Sequence, residues 1–211
     1  MKLYNYFRSS ASWRVRIGLA LKGLDYAYEP VHLAKNEQFG AAFSAQQASH
    51  LVPALVLDDG RWLSQSMAIL EYLDETHPEP PLLPRDAVGR AQVRALAHDI
   101  ACDIHPINNL RVLRYLKRDM GHDQARIDGW YRHWVATGLA IVEHKLAQTS
   151  GAFSFGDTPG LADCLLVPQV YNAQRFECPL DAYPTVLRVN AACLAHPAFA
   201  GTHPDACPDA A

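Results

Sequence analysis

Three serines and three arginines crowd one short stretch, YFRSSASWRVRIGLALKG, residues 6–23. Ile17, Ala20, Leu21 and Leu24 keep the i, i+3, i+4, i+7 spacing of one helix face, which puts Ser9, Ser10 and Ser12 at that helix's N-terminus. Such a terminus offers unpaired N–H groups and the positive end of the helix dipole, and hydroxyls add further donors. With Arg8 alongside, the chemistry is that of a local anion site. Ser12 reads as the N-cap, and Arg14 and Arg16 read as a solvated or salt-bridged helix face outside the chemistry.

The anion site must be local because the chain has no overall basic field. Its 19 Lys and Arg against 22 Asp and Glu give a formal charge of −3, which argues against nucleic acid or an anionic membrane as partner. With 211 residues, 49% of them apolar, the chain has ample material for a core. No apolar run is long enough for a membrane span, and Arg8, Arg14 and Arg16 interrupt the hydrophobic residues of the first twenty. The expectation is a cytoplasmic protein. The five cysteines form no C-x-x-C pair, so reduced thiols are expected. His98, Cys102 and His105, with Asp99 and Asp103 nearby, share a helical face but fit no zinc spacing, so no metal is expected.

The elements that must position these residues follow from periodicity. Residues 2–6 read as a strand, the serine-led helix is closed by Gly23 at C′, and Tyr26, Tyr28 and Val31 to Leu33 read as a second strand, making a βαβ unit. Ala54 to Leu57, the Asp59-Gly60 turn and Trp62-Leu63 then read as a hairpin, followed by a helix lined by Ile69, Leu70, Tyr72 and Leu73. Pro53 cannot donate to a central ladder, so it stands at a strand start or in the cis form. The proline-rich HPEPPLLP, residues 77–84, marks a domain boundary. Beyond it the pattern is helical. Val93, Leu96, Ala97 and Ile100 share one face and Trp130, Trp134 and Ile141 another, while Leu161 to Ala173 form an apolar helix. Pro106 should bend its helix near His105, and Gly160 with Asp163 reads as a capping box, which makes Asp163 structural.

In combination these motifs resemble the glutathione transferase family, and RSSASWRVRIGLALKG, HLVPAL, QSMAILEYL, DIHPINNLRVLRYL and GDTPGLADCLLVPQVYNAQRF resemble its zeta class, the maleylacetoacetate and maleylpyruvate isomerases. The resemblance covers nearly the whole chain. It implies the glutathione transferase fold: an α/β thioredoxin-like domain (βαβ–ββα) over residues 1–80, a linker at 81–84 and an all-helical substrate-binding domain over 85–211. It also implies glutathione as cofactor, with Ser9 and Ser10 at the sulfur, Val52 pairing backbone to backbone with the cysteinyl unit, and Gln65 and Ser66 holding the γ-glutamyl end. Gln38, His105, Asn109 and Arg111 match further glutathione contacts. Arg8 and Arg175 match arginines near the substrate pocket, which His105, Asn108 and Arg111 also line. Ala11 departs from the class by standing where a cysteine is usual, and His105 stands where related enzymes often have glutamine.

The implied activity is glutathione-dependent cis–trans isomerisation of a small dicarboxylate keto acid in aromatic catabolism, carried out by a homodimer. The rival readings are a transferase that conjugates or dehalogenates small α-halo acids, which would consume glutathione, and a binding module without catalysis.

Overall fold

The computed structural model describes residues 1–210. Four strands, β1 (Lys2–Asn5), β2 (Ala27–Pro30), β3 (Ala54–Val56) and β4 (Trp62–Ser64), form one sheet in the order β2-β1-β3-β4. β1 and β2 are parallel, and β3 is antiparallel to both β1 and β4. The helix α1 (Ser10–Leu21) connects the parallel pair, ending at Lys22 with Gly23 in the left-handed region at φ 63°. β2 stops at Pro30, short of the expected Val31–Leu33. Val31 N–H still reaches Asn5 O at 2.7 Å, but β1 ends there, and the chain turns through a 3-10 segment, Leu33–Lys35.

Alternation along β1 sends side chains to two faces. Leu3 joins Val15, Leu19, Leu55, Leu57, Ile69 and Leu73 in one core, against α1 and α3 (Ser66–Thr76). Those helices pack so closely that a Cβ at Gly18 would lie 2.2 Å from Leu70 Cδ2. Tyr4 faces the other way and stacks on Trp62 at 4.7 Å, beside Phe43 of the short α2 (Ala41–Ser44).

Two units divide the chain: Met1–Leu82 together with the chain from Ala195 on, and Leu83–Leu194. The fully buried Lys22 ammonium explains where the first stretch ends. It donates to Asp74 Oδ1 (2.7 Å), His77 O (2.7 Å) and Pro80 O (2.6 Å), while Asp74 also accepts from Leu82 N, so the proline segment is bonded back onto α1 and α3. The residues from Ala195 on, expected within the helical half, instead pack with the first unit. Trp13 Nε1 donates to Thr202 Oγ1 at 3.1 Å, and Arg16 Nε donates to Thr202 O at 3.3 Å.

The second unit is helical: α4 (Ala87–His98), α5 (Leu110–Arg118), α6 (Gln124–Thr149), α7 (Leu161–Arg175) and most of α8 (Pro184–Ala195). Val93, Leu96, Ala97 and Ile100 are buried as the spacing predicts. On α6 the core stripe is Ile127, Tyr131, Val135, Leu139, Val142 and Leu146, whereas Ile141 is exposed and Trp130 and Trp134 are half-buried. Two tryptophans dominate the sequence pattern there, but the stripe spaced by three and four residues is the one that packs. Asp163 caps α7 by accepting from Gly160 N at 2.8 Å and from Ser154 N at 2.9 Å. Burial pushes its carboxyl above the usual carboxylate range, against the opposing pull of those donors. No helix among the described residues is long and apolar enough to cross a membrane.

Candidate active site

Strand register gathers the first unit's candidate residues. Ala54 pairs with Tyr4 on one side and Ser64 on the other. The chain leaving β1 through Tyr6–Ser10, the Val52-Pro53 entry into β3 and the Gln65–Ser66 exit from β4 therefore all lie at one end of the sheet. Tyr6, Val31, Phe43 and Val52 share an apolar cluster, with Phe7 packed against it, which binds that end together.

Ser9, not Ser12, is the N-cap of α1: its Oγ accepts from Ser12 N at 3.2 Å. Accepting uses an oxygen lone pair and leaves the Ser9 O–H free to donate. Ser12 lies inside the helix, on its first turn, and is fully buried. Ser10 opens the helix, 4% exposed, and the first turn holds no acidic residue to cancel the dipole. Arg8 projects beside them, its Nη2 donating to Tyr6 Oη at 2.9 Å and its guanidinium 5.0 Å from the Phe7 ring.

Arg14 and Arg16 are buried, so the face expected to be solvated or salt-bridged is not a solvated one. Helix α1 packs on all sides, so both guanidiniums must find partners inside. Arg14 Nη1 donates to Ser66 Oγ at 3.2 Å, linking α1 to the start of α3. Arg16 donates to Asn5 Oδ1 (3.0 Å) and Phe7 O (2.9 Å).

Gln38 is 5% exposed and its Oε1 meets no protein donor, a buried acceptor suited to a ligand N–H. Its carbonyl is held from behind by His50 Nδ1 at 3.1 Å, and His50 sits in the left-handed region at φ 54°. Val52-Pro53 is cis and immediately precedes β3, so both positions foreseen for Pro53 apply. Gln65 also takes a positive φ, 68°, and caps α3 without a side-chain bond, leaving its amide for other work. Ser66 opens α3, whose first turn again lacks acidic residues. The combination of two unneutralised helix N-termini, free hydroxyl capacity and the unpaired Gln38 oxygen fits an anionic tripeptide thiol such as glutathione.

In the second unit His105, Asn108, Asn109 and Arg111 gather on one irregular turn and the start of α5 that follows it. Helix α4 passes into a π-helical segment, Asp99–Ile104, and Pro106 then opens a 3-10 turn, Pro106–Asn108, the bend expected near His105. Trp130 Nε1 fastens this turn by donating to Ile107 O at 2.9 Å. His105 Nε2 lies 3.4 Å from Asn109 Nδ2, and Asn109 caps α5 by accepting from Arg111 N at 3.1 Å. Asn108 is 7% exposed, with both amide atoms lacking a protein partner. Arg111 is exposed on the first turn of α5. Arg175 stands apart on the last turn of α7, donating to Asn172 Oδ1 at 3.4 Å with its guanidinium 5.8 Å from the Tyr171 and Phe176 rings. Among the described residues no three His, Cys, Asp or Glu side chains are grouped to hold a metal.

Sequence reasoning missed Arg14, His50 and Trp130. Only Arg14 carried a signal, because it alternates with Trp13 and Val15 in a helix lacking any polar face.

The family described as Glutathione S-transferase, N-terminal domain, matches residues 8–76. The chain is 51% identical to a maleylpyruvate isomerase from Ralstonia sp over the full length of both. It superposes with TM-score 0.97 and 50% identity on the holo structure of a maleylpyruvate isomerase described as a bacterial zeta-class glutathione S-transferase, each chain covered completely. A maleylacetoacetate isomerase from Anaeromyxobacter dehalogenans with glutathione bound gives TM-score 0.90 at 50% identity, over 100% of this chain and 97% of that one.

Proposed function

This chain belongs to the zeta-class glutathione transferases, and from that premise we propose how its own residues carry the reaction. The protein is a glutathione-dependent cis–trans isomerase of maleylpyruvate or maleylacetoacetate. The observation that carries the reading is the convergence of Ser9–Ser10, Val52 and Ser66 at one end of the sheet.

Glutathione when bound supplies a thiolate whose reversible addition to the cis double bond allows rotation before elimination leaves the trans product and the cofactor unchanged. Ser9 and Ser10 hydroxyls and the first N–H groups of α1 donate to the sulfur and favour its anion. Lowering a thiol pKa by about two units requires roughly 2.7 kcal/mol of preferential anion stabilisation, within reach of two or three charge-assisted hydrogen bonds at a helix N-terminus. Val52 offers its backbone to the cysteinyl unit. Gln65 and Ser66 hold the γ-glutamyl end, and Gln38, His105, Asn109 and Arg111 complete the cofactor's surroundings. Arg8, Arg111 and Arg175 take the substrate carboxylates and the negative charge that addition develops, a task suited to the guanidinium fork. His105 and Asn108 shape the substrate end. The protein works as a cytoplasmic homodimer.

The test follows maleylpyruvate conversion to fumarylpyruvate by absorbance, with and without glutathione, and quantifies glutathione before and after. Conversion that requires glutathione yet leaves it undiminished is expected. Stoichiometric loss of glutathione would make the protein a conjugating transferase instead.

A further inference from the structure

The turn between β1 and α1 carries the two serines, yet it belongs to no regular element, so something else must hold it still. Tyr6 O accepts from Ser9 N at 2.9 Å and from Arg16 Nη1 at 3.4 Å. Phe7 O accepts from Arg16 Nη2 at 2.9 Å. Another main-chain donor of the turn, Phe7 N, reaches across the unit to Asp209 Oδ2 at 3.2 Å. Asp209 Oδ1 accepts from the Tyr28 hydroxyl on β2, the strand beside β1.

The segment carrying Asp209 is itself anchored on the same turn and helix. Thr202 O accepts from Arg16 Nε, and Thr202 Oγ1 accepts from Trp13 Nε1 and donates to Ala198 O at 2.8 Å. The His203 ring meets Trp13 edge-on with centroids 5.2 Å apart. Arg16 and the segment around Thr202 thus hold the turn and the helix that follows it, and Asp209 accepts from Phe7 N, two residues before Ser9.

We infer that Asp209 is a positioning residue for the thiol-activating turn: by holding Phe7 N it sets the place from which Ser9 and Ser10 donate. The catalytic alignment is therefore completed by residues two hundred positions away in the sequence. The inference rests on the role assigned above to Ser9 and Ser10.

The test compares Asp209→Ala with Asp209→Asn, using glutathione affinity by calorimetry and the ultraviolet absorbance of bound thiolate, both well below the melting temperature. Asp209→Ala is expected to weaken glutathione binding or its thiolate fraction by about tenfold, the order of one lost charge-assisted hydrogen bond. Asp209→Asn keeps an acceptor oxygen for Phe7 N and is expected to remain within about twofold of wild type, since the mechanism needs the acceptor rather than the charge. A purely structural role would lower the melting temperature and leave both readings alone. Wild-type thiolate absorbance with an unaffected Asp209→Ala, or equal impairment in both variants, overturns this inference alone. A wild-type chain that binds no glutathione overturns the functional reading and this inference together. Should Asp209→Ala not fold, hydrogen exchange of the Phe7 amide in the wild type decides. Protection is expected, and exchange at the rate of an open loop overturns the proposal.

Discussion

The sheet end of the first unit, proposed above for the cofactor, and the 105–111 turn of the second, proposed for the substrate, are built on different principles. At the sheet end, positions follow from strand register, two helix N-termini and a cis peptide bond, and buried arginines tie the pieces together. On the 105–111 turn, the same density of candidate residues rests on a π-to-3-10 transition fastened by Trp130, and Asn108 has both amide atoms unpaired. Under the proposed function, main-chain donors suit the invariant part of the reaction, the tripeptide. Side chains on an irregular turn can be exchanged without disturbing a ladder, which suits the part that differs between maleyl keto acids.

The largest expected effect separates folding from chemistry in the helical unit. Asp163→Ala strands the Ser154 and Gly160 N–H groups, and should cost about 3 kcal/mol. In a thermal melt that appears as a midpoint lower by roughly 10 °C, with turnover per folded molecule preserved at low temperature. Next come the serines. Ser9→Ala and Ser10→Ala, measured side by side, should show a kcat loss of about a hundredfold in whichever carries the sulfur contact, and near-wild-type rates in both would defeat the thiolate role. Gln38→Ala should raise the KM for glutathione about tenfold with kcat nearly unchanged, because it removes a single buried, unpaired acceptor that the proposed function assigns to cofactor binding. The smallest effect on stability belongs to Asn108→Leu. Replacing an amide that has no protein partner with an apolar group of similar size should change stability by about 1 kcal/mol or less, while shifting the ratio of kcat/KM between maleylpyruvate and maleylacetoacetate. A large stability loss in Asn108→Leu would mean that the turn is structurally as rigid as the sheet end, and would remove the contrast.

By itself the sequence determined the elements and several of their ends, because those are governed by local rules. Apolar spacing defined the βαβ–ββα order and the helices, Gly23 and the Gly160–Asp163 pair marked helix ends, and the prolines marked the bend at 106 and the segment leaving the first unit. The serines and arginines at the head of α1 were legible as an anion site for the same reason. What a residue faces across the fold is not local, and there the tertiary structure decided. It buried Arg14 and Arg16, which helical spacing alone places on an open face, because α1 is enclosed on every side. It chose Ser9 over Ser12 as the cap, since only Ser9 stands outside the helix with an oxygen turned back to it. It ended β2 at Pro30, where β1 offers no further partner, and moved the packed stripe of α6 away from Trp130, Trp134 and Ile141. It also brought the residues from Ala195 on back against the serine turn, a contact between positions such as Phe7 and Asp209 that no periodicity records. Propensity and capping act within a few residues, whereas burial and long-range hydrogen bonds depend on which surfaces meet.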